Sequence, residues 1–281
     1  MSEGDAAIQT GRGIGRYLRL LRAFARFGLL SEMAFRANFL AKVTVEILWL
    51  SLLLVFYHSV FRQTSSIGGW TQAHFLAFLG CYYALEGIIE TFFLENCSEF
   101  GELIRTGNLD LYLLKPMDEQ FLVTCRKIEW STFPNVLLGV GVAITGLVQL
   151  DGWHFDLGWA ALFVVLFLCG VAMAYSFLVI LMATAVWLVR NQSLFELWWL
   201  FTTLMRYPRD IYVGRLASPL GFFFSFIVPV LLVVYVPART LLQAVDDWRF
   251  VGITFLATVV LLWLSRRFFR RALQSYRSAS S

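Results

Sequence analysis

Four ionisable side chains lie inside long apolar stretches, where a charge is costly and therefore marks a candidate functional site. Lys42 and Glu46 share one stretch and are four residues apart, and Glu86 and Glu90 share the next with the same spacing. A spacing of four places both members of a pair on one side of a helix. Such groups could form ion pairs between helices, line a path for a substrate or for protons, or act as acid and base in a membrane enzyme.

The composition indicates that the solvent around these residues is lipid. Of the 281 residues, 59% are hydrophobic and 15% are charged, whereas a soluble domain typically has about 25% charged residues. Apolar stretches of about 20 residues are typical of transmembrane helices. The sequence therefore predicts an all-α, polytopic membrane protein. We interpret the net charge of +4 as a signal for membrane orientation rather than for nucleic-acid binding.

The distribution of apolar and basic residues predicts a topology with six membrane spans in residues 38–265. Basic residues concentrate before the first span, in the polar loop 95–131 and in the tail 266–281. The positive-inside rule then places both termini and this loop in the cytoplasm. Five spans are assigned directly, at about 38–61, 73–94, 132–150, 157–189 and 250–264.

This topology brings the ionisable residues of the first two spans to matching depths. Because the two spans are antiparallel, Lys42 is level with Glu90, and Glu46 is level with Glu86. We therefore predict an ion pair between Lys42 and Glu90. Two interpretations of these residues stay open, namely contacts that hold helices together and groups that line a substrate or proton path. In the third span, Gly139, Gly141 and Gly146 are expected to allow close packing against a neighbouring helix.

The N-terminal segment 1–37 contains a basic, amphipathic pattern. Its arginines recur at spacings of three or four, which places them along one side of a helix, and they are Arg12, Arg16, Arg19, Arg22 and Arg26. Such a helix tends to lie among the lipid headgroups. It could also serve only to keep the N-terminus in the cytoplasm, and the two roles are compatible.

Residues 190–251 fit two arrangements. In the first, 190–216 is a cytoplasmic loop and 217–236 is the fifth span. In the second, 193–207 is a short fifth span and 211–238 re-enters the outer leaflet with a break at Pro229, where a helix loses a backbone donor. The positive-inside rule favours the first arrangement because it keeps nearby arginines in the cytoplasm. These arginines are Arg206, Arg209 and Arg215.

The chain lacks the short motifs of several enzyme classes. It contains no GxxxxGK followed by Ser or Thr, no GxSxG and no HExxH, which are typical of phosphate-binding loops, serine hydrolases and zinc proteases. We expect no metal site and no cofactor bound to this chain. Energy for any work would then come from a partner.

The polar segment 98–116 separates the second and third spans. SEFGELIR (98–105) is expected to form a short helix with acidic residues early and a basic residue late, which suits the helix dipole. Gly107 can then end the helix in a left-handed turn, and Leu113 and Leu114 are apolar residues near its close at Pro116. The segment could dock into another protein, or it could be a solvated connector.

Motifs in two regions resemble the ABC type-2 permeases, the membrane subunits of ATP-binding-cassette exporters. The pattern ExxRxGxLDxxLxxP of their cytoplasmic loop is matched, with some slack in spacing, by Glu102, Arg105, Gly107, Leu109, Asp110, Leu113 and Pro116. RYPRDIY (206–212), IVP (227–229) and VPARTLL (236–242) resemble a bacterial branch of uncharacterised permease components. The resemblance implies a location in the bacterial inner membrane.

This resemblance implies partners and roles. Segment 98–116 would carry the coupling helix that binds a separate ATPase, with Leu113 and Leu114 in the contact and Arg190-Asn191-Gln192 as a second contact. ATP and Mg²⁺ would be bound by that ATPase, and a second permease, of the same or a different chain, would complete the path. The resemblance favours the second arrangement, with a re-entrant segment 207–242 that contains Tyr207, Pro208, Pro229 and Pro237.

Two other functions remain open at this point. One is an intramembrane lipid-modifying enzyme that would use Glu86 and Glu90 as its acid and base. The other is a membrane scaffold that does not transport and uses segment 98–116 for docking alone. Neither explains the order of motifs along the chain as well as the exporter permease does.

Overall fold

The computed structural model describes residues 14–188, 192–212, 219, 223–227 and 229–276. These residues form helices joined by loops and contain no strand, so the predicted all-α class is confirmed. The helices that matter below are α1 (Ile14–Ala34), α2 (Arg36–Phe61), α3 (Gln72–Ile89), α4 (Phe100–Arg105), α5 (Leu109–Leu113), α6 (Glu119–Cys125), α7 (Pro134–Val148), α8 (Leu157–Ala183), α9 (Gln192–Met205), α10 (Val230–Leu241) and α11 (Trp248–Ser275).

Four helical stretches among the described residues are long and apolar enough to cross a bilayer. They are α2, α3 with its continuation to Arg105, α8 with its continuation to Val186, and α11. The continuation of α3 passes through a π-helical turn, Glu90–Leu94, and one further turn, Glu95–Ser98. Two shorter apolar helices, α7 and α10, complete the apolar part of the bundle. The last helix runs through Ser275, well beyond the predicted end of the last span at residue 264.

Small residues hold α3 and α7 together. A Cβ atom on Gly139 would lie 2.4 Å from the backbone nitrogen of Ala84, and one on Gly146 would lie 2.4 Å from that of Ala77. The backbones therefore touch, as small residues permit between membrane helices. The packing prediction is confirmed for Gly139 and Gly146. It is wrong for Gly141, because that residue points away from α3 into open space.

A second group of helices forms around α8. Gly170 of α8 faces α10 so closely that a Cβ atom would lie 2.4 Å from the carbonyl oxygen of Val233. On the same helix, Phe177 stacks on Phe201 of α9 with ring centroids 3.6 Å apart. These contacts make α8 the central helix of the C-terminal half.

The bundle has two distinct ends. At the Trp70 end, the indole of Trp70 donates to Asp210 at 2.7 Å, and that of Trp153 donates to the carbonyl of Leu241 at 3.1 Å. At the opposite, Arg266 end, the guanidinium of Arg266 pairs with Asp118 of the polar loop. The loops predicted to be outside therefore meet at one end, and the loop 95–131 lies at the other.

Residues 207–212 and the end of α10 both lie at the Trp70 end of the bundle. Asp210 lies beside Trp70, at the opposite end from loop 95–131, and α10 starts beside Pro229 and runs to the Trp70 end at Leu241. The choice between the two predicted arrangements stays a prediction. Pro229 precedes α10, as expected of a residue without a backbone donor, whereas Pro237 lies inside the helix.

Candidate functional site: the coupling segment and the intramembrane charges

Segment 98–116 consists of two short helices joined by a tight turn. Helix α4 ends at Arg105, and the N–H of Gly107 bonds to the carbonyl of Ile104 at 3.2 Å. Gly107 has a φ of +71°, a conformation that side chains with a Cβ atom rarely adopt. The predicted glycine turn is therefore confirmed. Asn108 precedes α5, so the apolar residues that follow lie on a helix.

The leucines of this segment divide into buried and exposed ones. Leu109 is fully buried and Leu113 packs on the hydrophobic core. By contrast, Leu111 is 61% exposed and Leu114 is 81% exposed. The exposed pair is thus Leu111 and Leu114 rather than the predicted Leu113 and Leu114. The sequence also offers Leu109 and Leu111 as apolar groups of this segment, and the spacing of three residues places Leu111 and Leu114 on the same side of a helix.

A charged pair accompanies the exposed leucines. Arg105 donates to Glu102 through two nitrogens, at 2.8 Å and 2.6 Å. Both side chains are more than half exposed. Asp110 is half-buried. We give the name coupling face to five of the exposed side chains of this segment, which are Glu102, Arg105, Leu111, Leu114 and Pro116.

The N-terminal base of the coupling segment (98–116) is joined to residues 126–130. We call these residues the return segment, because they lead back towards the membrane. The side chain of Asn96, 1% exposed, donates to the carbonyl of Lys127 at 2.8 Å and accepts from its N–H at 2.9 Å. Glu99 pairs with both Arg126 and Lys127. These contacts fix the end of the long α3 stretch to residues 126–127.

A second connection joins the coupling segment to the last helix. Asp118 caps α6 by accepting from the N–H of Phe121 at 2.9 Å and pairs with Arg266. Partial burial alone would raise the pKa of Asp118, but the hydrogen bonds from Arg266 and Phe121 outweigh it, so the pKa lies below its usual value. Gln120 also accepts from Arg266, at 3.1 Å.

The basic N-terminal helix packs on the same return segment. Glu32 of α1 accepts from the N–H of Trp130 at 2.7 Å, and the indole of Trp130 donates to the carbonyl of Ala25 at 2.9 Å. Gly28 is so close to Ile128 that a Cβ atom would lie 2.4 Å from its carbonyl oxygen. This docking was not predicted. Of the arginines on α1, those at 19, 22 and 26 are exposed, and Arg12 lies outside the described residues.

Lys42 pairs with Glu129, so the predicted ion pair between Lys42 and Glu90 is wrong. The prediction treated loop 95–131 as separate from the spans. In the structure, the return segment runs back along α3, where the N–H of Glu129 bonds to the carbonyl of Thr91 at 2.9 Å. This places Glu129 beside the first span. A partner from a loop far along the chain leaves no local signal in the sequence.

The two glutamates of α3 face different neighbours. Glu90 accepts from the amide of Asn135 on α7 at 3.3 Å. Arg206, at the end of α9, and Glu46 both lie within electrostatic range of Glu86. Sequence reasoning did not identify Arg206 as the cation of this site.

Arg206 is held by an aromatic side chain. Its guanidinium lies over the ring of Tyr82, 5.4 Å from the centroid, and donates to the hydroxyl of Tyr82 at 3.4 Å. Such a contact stabilises a cation in apolar surroundings. The candidate site thus combines the cation Arg206 with the carboxylates of Glu86, on α3, and Glu46, on α2.

The predicted re-entrant residues lie in the C-terminal half. Pro208, Pro229 and Pro237 are buried, and Tyr207 is half-buried. Near them, at the Trp70 end, is a cavity of about 220 Å³ lined by charged and aromatic residues that include Arg209, Asp210, Tyr235, Arg239 and Asp246. Of the predicted second ATPase contact, residues 190 and 191 lie outside the described residues.

Comparison with known proteins identifies the family. The family described as ABC-2 family transporter protein matches residues 47–280, which is most of the chain and includes the coupling segment, Arg206 and the last helix. No curated protein and no solved structure matches the chain. The family match confirms the resemblance found in the motifs and supports a multi-pass membrane protein with a permease role. The chain therefore belongs to the ABC-2 transporter family.

Proposed function

We propose that this chain is the permease subunit of an ATP-binding-cassette exporter in a bacterial inner membrane. Two permeases, identical or different, would form the path, and two separate ATPase subunits would bind ATP and Mg²⁺ and drive export. The observation that carries the proposal is the coupling face, whose apolar side chains Leu111 and Leu114 are exposed on a polar segment of a chain that belongs to this family.

In the proposed topology, the Arg266 end is cytoplasmic. The exposed arginines of α1 and of the end of α11 lie on polar parts of the chain near this end, in agreement with the positive-inside rule. The six crossings are α2, α3, α7, α8, α11 and the short α9 completed by residues 206–212. Segment 207–242 is the proposed re-entrant element, in which α10 is the part that runs back to the outer side.

The coupling face is the proposed docking site for the ATPase. Small interfaces derive most of their free energy from a few well-packed side chains, and here these are Leu111 and Leu114, with Glu102 and Arg105 as polar contacts. The base of the segment is fixed to α3 through Asn96 and to α11 through Asp118. A displacement of the docked face would therefore reach two spans of the membrane bundle.

The intramembrane site would lie along the path. Helix α2, which carries Glu46, is almost entirely exposed, and it leaves one side of the bundle free for lipid or for a second permease. Glu86 and Arg206 would then contact a polar part of the substrate at the boundary between the two permeases. Export would follow from a shift between conformations that nucleotide binding favours differently.

Co-purification tests the proposal. We expect the tagged wild-type protein to retain an ATPase in mild detergent, measured as ATP hydrolysis in the eluate and by identification of the bound subunit. Leu111→Ser with Leu114→Ser should lower its recovery by about tenfold or more, since apolar anchors dominate such contacts. Lys115→Gln is the matched control, because Lys115 is also exposed on this segment but lies outside the coupling face.

Glu86→Gln distinguishes a role in transport from a role in packing. If Glu86 contacts the substrate, the variant should lose export while it keeps its ATPase and its thermal stability.

A wild-type protein that never retains an ATPase, or a double leucine variant that retains it fully and exports normally, would contradict the proposed function.

A further inference from the structure

The last two turns of α11 carry arginines that the coupling segment does not use. Arg266 pairs with Asp118. Arg267, Arg270 and Arg271 are exposed and form no ion pair within the described part of the chain. Together with Trp263 and Gln274, the four arginines line a cavity of about 380 Å³. Like charges three or four residues apart repel one another on a helix, so this cluster favours an anion.

The cluster continues an apolar side of the same helix. Leu256, Val259 and Trp263 are 66%, 65% and 59% exposed, and Arg267 and Arg270 follow at the same spacing of three or four residues. One exposed side of α11 therefore changes from aliphatic to tryptophan to arginine along its length. The guanidinium of Arg267 lies over the indole of Trp263, 5.5 Å from the ring centroid. Tryptophan and arginine are the residues that mark the level of lipid headgroups.

We propose that this surface is a binding site for an anionic phospholipid. The phosphate would bind to Arg267, Arg270 and Arg271, since guanidinium groups form paired, charge-assisted hydrogen bonds with phosphate. The acyl chains would lie along Leu256 and Val259, and Trp263 would mark the boundary between them. The site requires that α11 spans the membrane, but it does not depend on the proposed ATPase partner.

The site is next to the connection between the coupling segment and the bundle. Arg266, adjacent in sequence to Arg267, donates to Asp118 and to Gln120 at the start of α6. A bound phosphate would neutralise Arg267, Arg270 and Arg271, and Arg266 would remain paired with Asp118. Lipid binding would thereby stabilise the position of α6 against the last helix.

Native mass spectrometry of the full-length protein in detergent tests the site. The probes are dioleoyl phosphatidylglycerol, dioleoyl phosphatidylcholine and inorganic phosphate, each added to delipidated protein. We expect phosphatidylglycerol to bind at one site and to raise the melting temperature, whereas phosphatidylcholine and inorganic phosphate should do so much less. Each basic residue near an anionic lipid contributes about 1 kcal/mol, so Arg267→Gln with Arg270→Gln and Arg271→Gln should weaken phosphatidylglycerol binding by about a hundredfold.

A variant of equal charge change is the control. Arg62→Gln and Arg249→Gln remove two exposed arginines from the Trp70 end and should change phosphatidylglycerol binding by less than about threefold, whereas Arg267→Gln with Arg270→Gln should weaken it by about thirtyfold. Should the α11 triple variant fail to fold, Arg270→Gln alone should still weaken binding by about fivefold.

Four results would overturn the proposal. They are equal binding of phosphatidylcholine, full stabilisation by inorganic phosphate alone, equal losses in the Trp70-end and α11 variants, and unchanged lipid binding in an α11 variant that no longer retains the ATPase. The last result would assign the arginines to the ATPase contact instead. A failure of ATPase recovery in the wild type, with lipid binding intact, would contradict the proposed function but leave this site in place.

Discussion

Helices α2 and α3 follow each other in the chain, are both apolar, and are used in opposite ways. The apolar stretch of α2 is 6% buried within the protein, whereas that of α3 is 72% buried. Lipid tails are as apolar as leucine side chains, so hydrophobicity does not drive membrane helices together, and close packing of small residues does. Helix α3 offers Gly80 to α7, whereas the middle of α2, ILWLSLLLVF (47–56), has no glycine.

The few contacts of α2 are correspondingly specific. Lys42 pairs with Glu129, Leu50 and Tyr57 are buried, and the ring of Tyr57 lies 4.6 Å from that of Phe75 on α3. Most of its other side chains are exposed and are available to lipid or to the second permease of the proposed exporter. The difference between the two helices shows that a long apolar stretch is sufficient for a helix to span the membrane. Whether that helix is also buried in the core depends on the size and shape of its side chains.

The largest expected effect comes from breaking the backbone contact of α3. Gly139→Leu should destabilise the protein by about 3 kcal/mol or more, since the new side chain would overlap the backbone at Ala84 and force the helices apart. Gly141→Leu, two residues away, should have almost no effect because nothing lies within 4 Å of a Cβ atom there. Unfolding in detergent measures both. Equal stability of the two variants would show that α7 does not pack on α3 in this way.

A smaller effect is expected where α2 touches the core. Leu50 is 4% exposed and Leu48 is 63% exposed. Leu50→Ala should cost about 2 kcal/mol, at the low end for a buried leucine, because lipid can fill part of the space. Leu48→Ala should leave the stability of the isolated chain unchanged. If Leu48→Ala instead weakens association between permeases in crosslinking, the exposed side of α2 is an interface rather than a lipid-facing surface.

The smallest expected effect concerns the ion pair of α2. Lys42→Met should lower stability by about 1 kcal/mol, because the Lys42 side chain is 47% exposed and its partner Glu129 is 19% exposed, and partly exposed pairs contribute little. Lys42→Arg should keep most of the stability. Thermal unfolding of each variant, alone and combined with Glu129→Gln, provides a double-mutant cycle. A coupling energy of zero with Glu129, or a larger one with Glu90, would contradict the observed pairing.

Local patterns in the sequence predicted several features correctly. Gly107 was predicted as a turn and Pro229 as a helix break, and both residues occupy such positions. Each prediction depends on the conformational freedom of one residue, which is the same in every fold. The motifs that resemble the ABC type-2 permeases were also recognisable, because each consists of a few residues that are close together in the sequence.

Predictions that involved pairs of distant segments were less reliable. Lys42 pairs with Glu129, not Glu90, because loop 95–131 folds back beside α3. For Arg206 the sequence left open the side of the membrane and predicted no partner, but its side chain lies against Tyr82 and near Glu86. Such partners depend on how helices are placed in three dimensions, and a spacing along the chain does not determine that placement.

By itself, the sequence determined that this is a helical membrane protein and at which residues some of its turns and helix breaks lie. Those properties follow from side-chain hydrophobicity and backbone freedom, which act residue by residue. Only the tertiary structure decided which apolar helix is buried, which leucines of the coupling segment are exposed, and which charges meet. These outcomes depend on contacts between segments far apart in the chain, where one backbone can approach another only if both shapes permit it.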